Sequence, residues 1–354
     1  MSIAAALVLL LPLAGAATMG KPLAAHLQFP PKPPEVPHVP FSLPVFLGLT
    51  LLILAATVPL LLRLISFRRE DRPRKAVFPF PRWGWAGAGL GAASWIVAWV
   101  RIPWMGDFQA HTFTPLWIAF ILLVNAFTMR RTGRCLMLSR TRPFLLLFPV
   151  SAGFWWSFEY LNRFVGNWRY VGGVDFGAVE YFLFATLPFS TILPAVLSTR
   201  ELLLSYPRFD GAFREWRPLS PARPGAIGLA ALLLSCAGLF AVGIVPGFAF
   251  PMVWVAPPTL LISLSALRRA PHALSGIGSG DWRSPVSSVL AALLCGFFWE
   301  MWNFESYAKW VYDIPYVNVL HVFEMPLLGY AGYLPFGVLC AEIGDFIVGF
   351  AHKE

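Results

Sequence analysis

The sequence has little charge. Of its 354 residues only 13% are Asp, Glu, Lys or Arg, against roughly 25% in a typical soluble domain. With 57% apolar residues, the chain carries more apolar surface than a water-soluble core absorbs, whereas a bilayer accepts it. A soluble enzyme is excluded. Cysteine is scarce as well: Cys135, Cys236, Cys295 and Cys340 show no CxxC spacing, and three lie in apolar stretches. Neither a disulfide nor a zinc site is expected. No Walker A loop, glycine-rich dinucleotide loop, HExxH or GxSxG occurs, and the loops are too short for a nucleotide-binding domain. ATP hydrolysis, nicotinamide chemistry and zinc proteolysis are therefore not expected, and no cofactor is implied.

Aromatic residues are plentiful at 16%, as are Pro (32) and Gly (29), which membrane helices tolerate better than soluble ones. The net charge of +9 would suit nucleic acid. However, 22 of the 27 basic residues are Arg, set in short runs between apolar stretches. That is the pattern of cytoplasmic loops, so no nucleic-acid partner is expected. The fold class is an all-α polytopic membrane protein.

Residues 1–20 read either as a signal peptide, ending in Ala14-Gly-Ala16, or as a retained first helix; no Lys or Arg precedes the apolar run, which departs from a standard signal. Residues 21–42 form a Pro-rich arm expected to be extended. Nine stretches of about 20 apolar residues follow, the length a bilayer requires. They cover 43–66, 84–104, 113–129, 143–162, 177–205, 224–246, 251–267, 285–304 and 320–348, or ten spans if the N-terminal segment stays. The first is an extra helix that ends, with its basic loop, at residue 82. Placing that loop inside puts 21 of the 27 basic residues on the cytoplasmic side and leaves Lys21, Lys32, Arg101, Arg163, Arg169 and Lys309 outside, as the positive-inside rule demands. The expected setting is a bacterial inner membrane with a cytoplasmic C-terminus.

The chain also repeats itself. Phe154-Trp-Trp-Ser-Phe-Glu-Tyr-Leu-Asn-Arg163 returns as Phe297-Phe-Trp-Glu-Met-Trp-Asn-Phe304. Glu159 and Asn162 match Glu300 and Asn303; Trp168 and Tyr170 match Trp310 and Tyr312; Glu180 and Glu324 follow. Each copy closes on Leu-Pro with an acid seven residues later, Glu201 and Glu342. Residues 83–206 and 224–350, joined by a linker at 207–223, therefore read as two four-helix repeats. An even number of spans makes them parallel, related by an axis along the membrane normal.

The repeat gathers polar residues at the outer end. Glu and Asn three apart share one helix face, and acids within or beside spans usually face a bundle interior or water. Glu159, Glu180, Glu300 and Glu324 are candidate acids lining a cavity, with Asn162, Trp168, Tyr170, Asn303, Trp310, Tyr312 and His321 as candidate binding residues. The alternative is structural. Each acid would take hydrogen bonds from Trp, Tyr or Asn, and Glu180 and Glu324 would begin the fourth helix of each copy, favoured there by the dipole. His321, one turn before Glu324, has no second histidine nearby, so no metal is expected. Met325 to Pro335 should interrupt the last helix.

Trp168-Arg-Tyr170 followed by Val179-Glu-Tyr-Phe-Leu-Phe184 resembles the lycopene cyclase domain of bacterial and archaeal carotenoid enzymes, with one Glu where that pattern has adjacent acids. Phe323 to Phe336 also resembles bacterial membrane proteins with no assigned role. The cyclase resemblance implies duplicated membrane domains and acid-catalysed chemistry on a long isoprenoid, with aromatic faces sheltering a carbocation. The expected partners are membrane lipid and a lipophilic small molecule, with a protein partner on the external loops as a further possibility. A transporter with its site between the repeats, or a non-catalytic subunit of a membrane complex, stays open. An impermeant thiol reagent on intact cells should leave a cysteine placed within 270–282 unlabelled; strong labelling there would overturn the orientation.

Overall fold

The computed structural model describes residues 2–31, 36, 38–67, 77–172 and 177–349. In lipid an apolar run must bond its backbone internally, so these stretches close into helices. In chain order they are α1 (Ser2–Thr18), α2 (Leu43–Ser66), α3 (Arg82–Trp99), α4 (Phe113–Thr132) and α5 (Thr141–Val165). A strand β1 (Trp168–Val171) separates these from α6 (Ala178–Phe189), α7 (Ile192–Leu204), α8 (Pro207–Arg214), α9 (Pro224–Ile244), α10 (Met252–Leu267) and α11 (Arg283–Phe304). Strands β2 (Lys309–Tyr312), β3 (His321–Val322) and β4 (Met325–Pro326) precede α12 (Tyr333–Val348). The chain is a helical membrane protein with little sheet. Of the nine expected spans, seven are long and apolar enough to cross a membrane. The other two are α10, apolar but shorter, and α3, rich in Gly, Ala and Trp.

Three expected spans differ from the helices observed. Span 84–104 stops at Trp99, where the chain turns toward Pro103. Span 177–205 breaks at Ser190–Thr191, between Pro188 and Pro194. Proline removes a donor and crowds the preceding turn, and the buried hydroxyl of Ser151 repairs the gap: it donates to the Phe189 carbonyl (2.6 Å) and accepts from the Leu193 N–H (3.1 Å). Span 320–348 is helical only from Tyr333. Before it lie the β3–β4 hairpin and a 3-10 segment, Leu327–Gly332, so Glu324 sits in a hairpin turn and does not begin a helix.

α7 is the central helix, buried without interruption from Ile192 to Arg200 and packed on α4, α5, α11 and α12. Small residues set the close crossings, as membrane helices require. Gly337 of α12 rests on the Ser288 backbone of α11, and Gly15 and Gly243 meet where α1 crosses α9. Arg200, counted with a cytoplasmic loop, instead lies buried in α7, where it pairs with Asp345 (2.6 Å) and donates to Ser284 (3.1 Å). Pairing is what makes a charge tolerable at that depth. At the same end Glu201 accepts the Leu136 N–H (2.6 Å) and Glu342 accepts the Ala273 N–H (2.7 Å). α2 is the opposite case, with no buried residue.

At the other end of the bundle the two Trp-x-Tyr segments pair with each other. β1 and β2 run antiparallel with Trp168 opposite Tyr312, Arg169 opposite Val311, and Tyr170 opposite Trp310. Aromatic and β-branched residues favour this pleat. The Pro-rich arm crosses here too: Ser42 and Val39 exchange backbone bonds with Tyr316, and His38 sits 2.7 Å from Asp313. Residues 32–35 and 37 of the arm, most of the first basic loop (68–76), and the C-terminal Lys353 lie outside the described residues.

Candidate functional site

The site is assembled where α5 and α11 end against the β1–β2 ribbon. Glu159 and Asn162 share a face of α5, as do Glu300 and Asn303 on α11. Each asparagine acts as an extra strand neighbour. Asn162 Nδ2 donates to the Trp168 carbonyl (2.7 Å) while its Oδ1 accepts the Trp168 N–H (3.3 Å). Asn303 does the same to Trp310, at 2.7 and 2.9 Å. The clamps fix the start of each strand. Because side chains alternate along a strand and paired residues share a face, Trp168, Tyr170, Trp310 and Tyr312 all turn to one side of the ribbon.

That side meets the two acids. Glu159 Oε1 receives Tyr170 OH (2.6 Å), Trp155 Nε1 (3.0 Å) and Trp168 Nε1 (3.1 Å). Glu300 Oε1 receives Tyr312 OH (2.8 Å) and Tyr333 OH (2.9 Å), and Trp310 reaches only the Tyr312 hydroxyl (2.8 Å). Glu300 Oε2 is buried with no partner among the described residues. Both carboxyls are buried, Glu159 with 3% exposure and Glu300 with none, and both border the same open space.

The open space is a cavity of about 540 Å³ walled by both acids, five tryptophans (155, 168, 254, 299 and 310), and Tyr170, Tyr312 and Tyr333. A volume of this order suits a small organic ligand. Beneath it the fully buried Phe336 packs against Phe154 (5.6 Å between centroids), Trp155 (5.9 Å), Trp254 and Trp299 (both 6.2 Å), an edge-and-tilt packing that fixes ring positions. Toward α6, Leu187 lines the cavity and is 57% exposed.

Eight of the eleven singled-out residues therefore converge, although Asn303 clamps the ribbon without lining the cavity. Three do not converge. Glu180 is exposed and accepts the Gly177 N–H (3.0 Å), capping its own helix. Glu324 pairs with Lys309 (2.6 Å). His321 is exposed, with Nε2 3.3 Å from Asn318 Oδ1. The paired placement of Glu180 and Glu324 fails because the second copy enters its last helix through a hairpin. Residues not singled out include Trp155, legible as the position four before Glu159 on the same helix face, and Trp254, Phe336 and Tyr333, which no spacing in the sequence marks. The four cysteines are free thiols. Among the described residues no three His, Cys, Asp or Glu side chains gather as a metal site would need.

Comparison with family models, curated proteins and solved structures returns no match.

Burial, and then the neighbouring carboxylate, holds the Tyr170 and Tyr312 phenols well above the ordinary tyrosine value of 10; the Tyr170 ring is 44% exposed, but its hydroxyl end is packed against Glu159. Folded-state values above the unfolded one mean that these phenols stabilise the fold fully below pH of about 10, a contribution lost as the pH rises beyond it. In an alkaline titration followed by tyrosinate absorbance, Tyr170 and Tyr312 should ionise only as the protein unfolds. That late step should shrink in Tyr170→Phe and Tyr312→Phe. Ionisation of both near pH 10 in the folded protein would contradict the assignment.

Proposed function

We propose that the cavity holds a lipophilic, isoprenoid-like molecule and that its two carboxyls act on it, Glu300 as the acid and Glu159 as the charge that faces the resulting cation. The observation that carries this reading is the pairing of two buried carboxyls with an aromatic chamber. The two carboxyls differ in a useful way. Three donors converge on one Glu159 oxygen, whereas Glu300 has one oxygen free of any donor on which a proton can reside. In the step itself, the Glu300 O–H bond breaks as its proton bonds to one alkene carbon, and the other alkene carbon becomes cationic beside the tryptophan faces. The Glu300 carboxylate then takes a proton from a carbon beside the cation, which restores the acid, so the product is an isomer and no oxidant or reductant is needed. This is the chemistry that the lycopene cyclase resemblance implies. A transporter would require a polar path toward the middle of the bundle; the packed rings around Phe336 support a closed pocket instead.

We further propose that residues 83–206 and 224–350 are two repeats about an axis through the Arg169–Val311 pair, with the ribbon end outside a bacterial inner membrane and the C-terminus in the cytoplasm. The matched asparagine clamps and the antiparallel pairing of the two motifs support the first statement, and the arginine distribution supports the second.

Incubating the purified protein with lycopene or geranylgeraniol in D₂O tests the chemistry. The expected product carries one deuterium per protonation, and Glu300→Gln should add none while remaining folded, because the amide keeps the shape. Equal incorporation by wild type and Glu300→Gln, or none by wild type, would contradict the assignment.

A further inference from the structure

We propose that the molecule held in the cavity is an amphiphile with an acidic head group, a phosphate or a carboxylate, bound at the rim by Arg163 while its isoprenoid tail lies among the aromatic rings. This rests on the reading of the chamber as a lipophilic site and adds the class of ligand. It follows from a count of where the charges on the cavity wall are spent. Five ionised-type side chains line it: Glu159, Glu300, Arg163, Arg169 and Lys309. Lys309 is taken by Glu324 at 2.6 Å. The carboxyls are turned to tryptophan and tyrosine donors and not to the arginines, although Glu159 lies only one helical turn before Arg163.

The Arg163 guanidinium is left with unused donors. Arg163 donates one N–H to the His26 carbonyl (3.0 Å), and its buried Nε has no partner among the described residues. Arg169 lies on the face of β1 opposite to Trp168 and Tyr170, exposed, and no described side chain bonds to its guanidinium. It also borders a smaller cavity of about 150 Å³ beside His38 and Asp313, but the Asp313 carboxylate is already 2.7 Å from His38. A guanidinium stays charged throughout the working pH range, and its planar fork fits the oxygens of a phosphate or carboxylate. The last turn of α5 favours a cation at Arg163 through the helix dipole, but that accounts only for the sign and leaves the unspent donors unexplained. A neutral polyene would fill the chamber and leave the Arg163 donors unused; an acidic head satisfies them and keeps the tail beside Glu159.

The test uses the full chain in neutral detergent, with native mass spectrometry reading the binding of geranylgeranyl phosphate, geranylgeraniol and inorganic phosphate. The phosphate ester should bind at least about tenfold more tightly than the alcohol, the return expected of charge-assisted bonds, and R163Q should narrow that preference. The wild-type comparison of ester with alcohol needs no variant, so the outcome survives a misfolded substitution. If ester and alcohol bind equally, the acidic head is wrong and the lipophilic cavity stands. If inorganic phosphate binds as tightly as the ester, the site is one for a free anion and the tail assignment is wrong. If neither C20 compound binds, the cavity reading fails and this proposal falls with it.

Discussion

Two carboxyls buried at the end of a helical bundle need donors, and the antiparallel pairing of Trp168–Val171 with Lys309–Tyr312 brings those donors to them. An unsatisfied buried carboxylate costs several kcal/mol. The ribbon supplies donors on both sides at once, Trp168 and Tyr170 to Glu159 and Tyr312 to Glu300, while its two strands pair with each other. The asparagines hold the strands in register with the helix ends. The cavity is a consequence of this arrangement. Four aromatic side chains must stand on one face of the ribbon to reach the acids, and the space between that face and the ring floor over Phe336 is what stays open.

The two halves use the same motif with different results. In the first, both Trp168 and Tyr170 bond to the acid directly, and Trp155 adds a third donor. In the second, Trp310 is one bond removed, Tyr333 takes its place, and an oxygen of Glu300 is left without a donor. The difference begins in the chain: one extra residue separates Asn303 from Trp310, and a hairpin with a 3-10 segment replaces the first turns of the last helix. Chemically equivalent acids thereby meet different surroundings, the condition for dividing acid and counter-charge between them.

Much of this was legible in the residues. Apolar runs placed the helices because lipid leaves the backbone no other solution, and the spacing of Glu159 and Asn162, repeated at Glu300 and Asn303, put an acid and an amide on one face in each half. The strand pairing was not legible, because Trp168 and Tyr312 are brought together only by how the two helix ends meet. Tyr333 was hidden for the same reason: it reaches Glu300 across the bundle from a segment whose sequence announces a break but not its direction. Glu324 was misplaced because a Met-Pro step after an acid suits either a helix start or a tight turn, and a hairpin forms here. Arg200 shows the limit of counting charge by loops, since a basic residue at the end of a span goes inward when an Asp345 is there to meet it.

The most direct check of the ribbon is a cross-link at its centre. Paired residues in an antiparallel ribbon have Cα atoms roughly 4.5–5.5 Å apart, within the range a disulfide spans, so Arg169→Cys and Val311→Cys in one chain should oxidise to a bond within the molecule and leave the protein folded. A chain that forms no such bond, or bonds only between molecules, would contradict the pairing and the site built upon it.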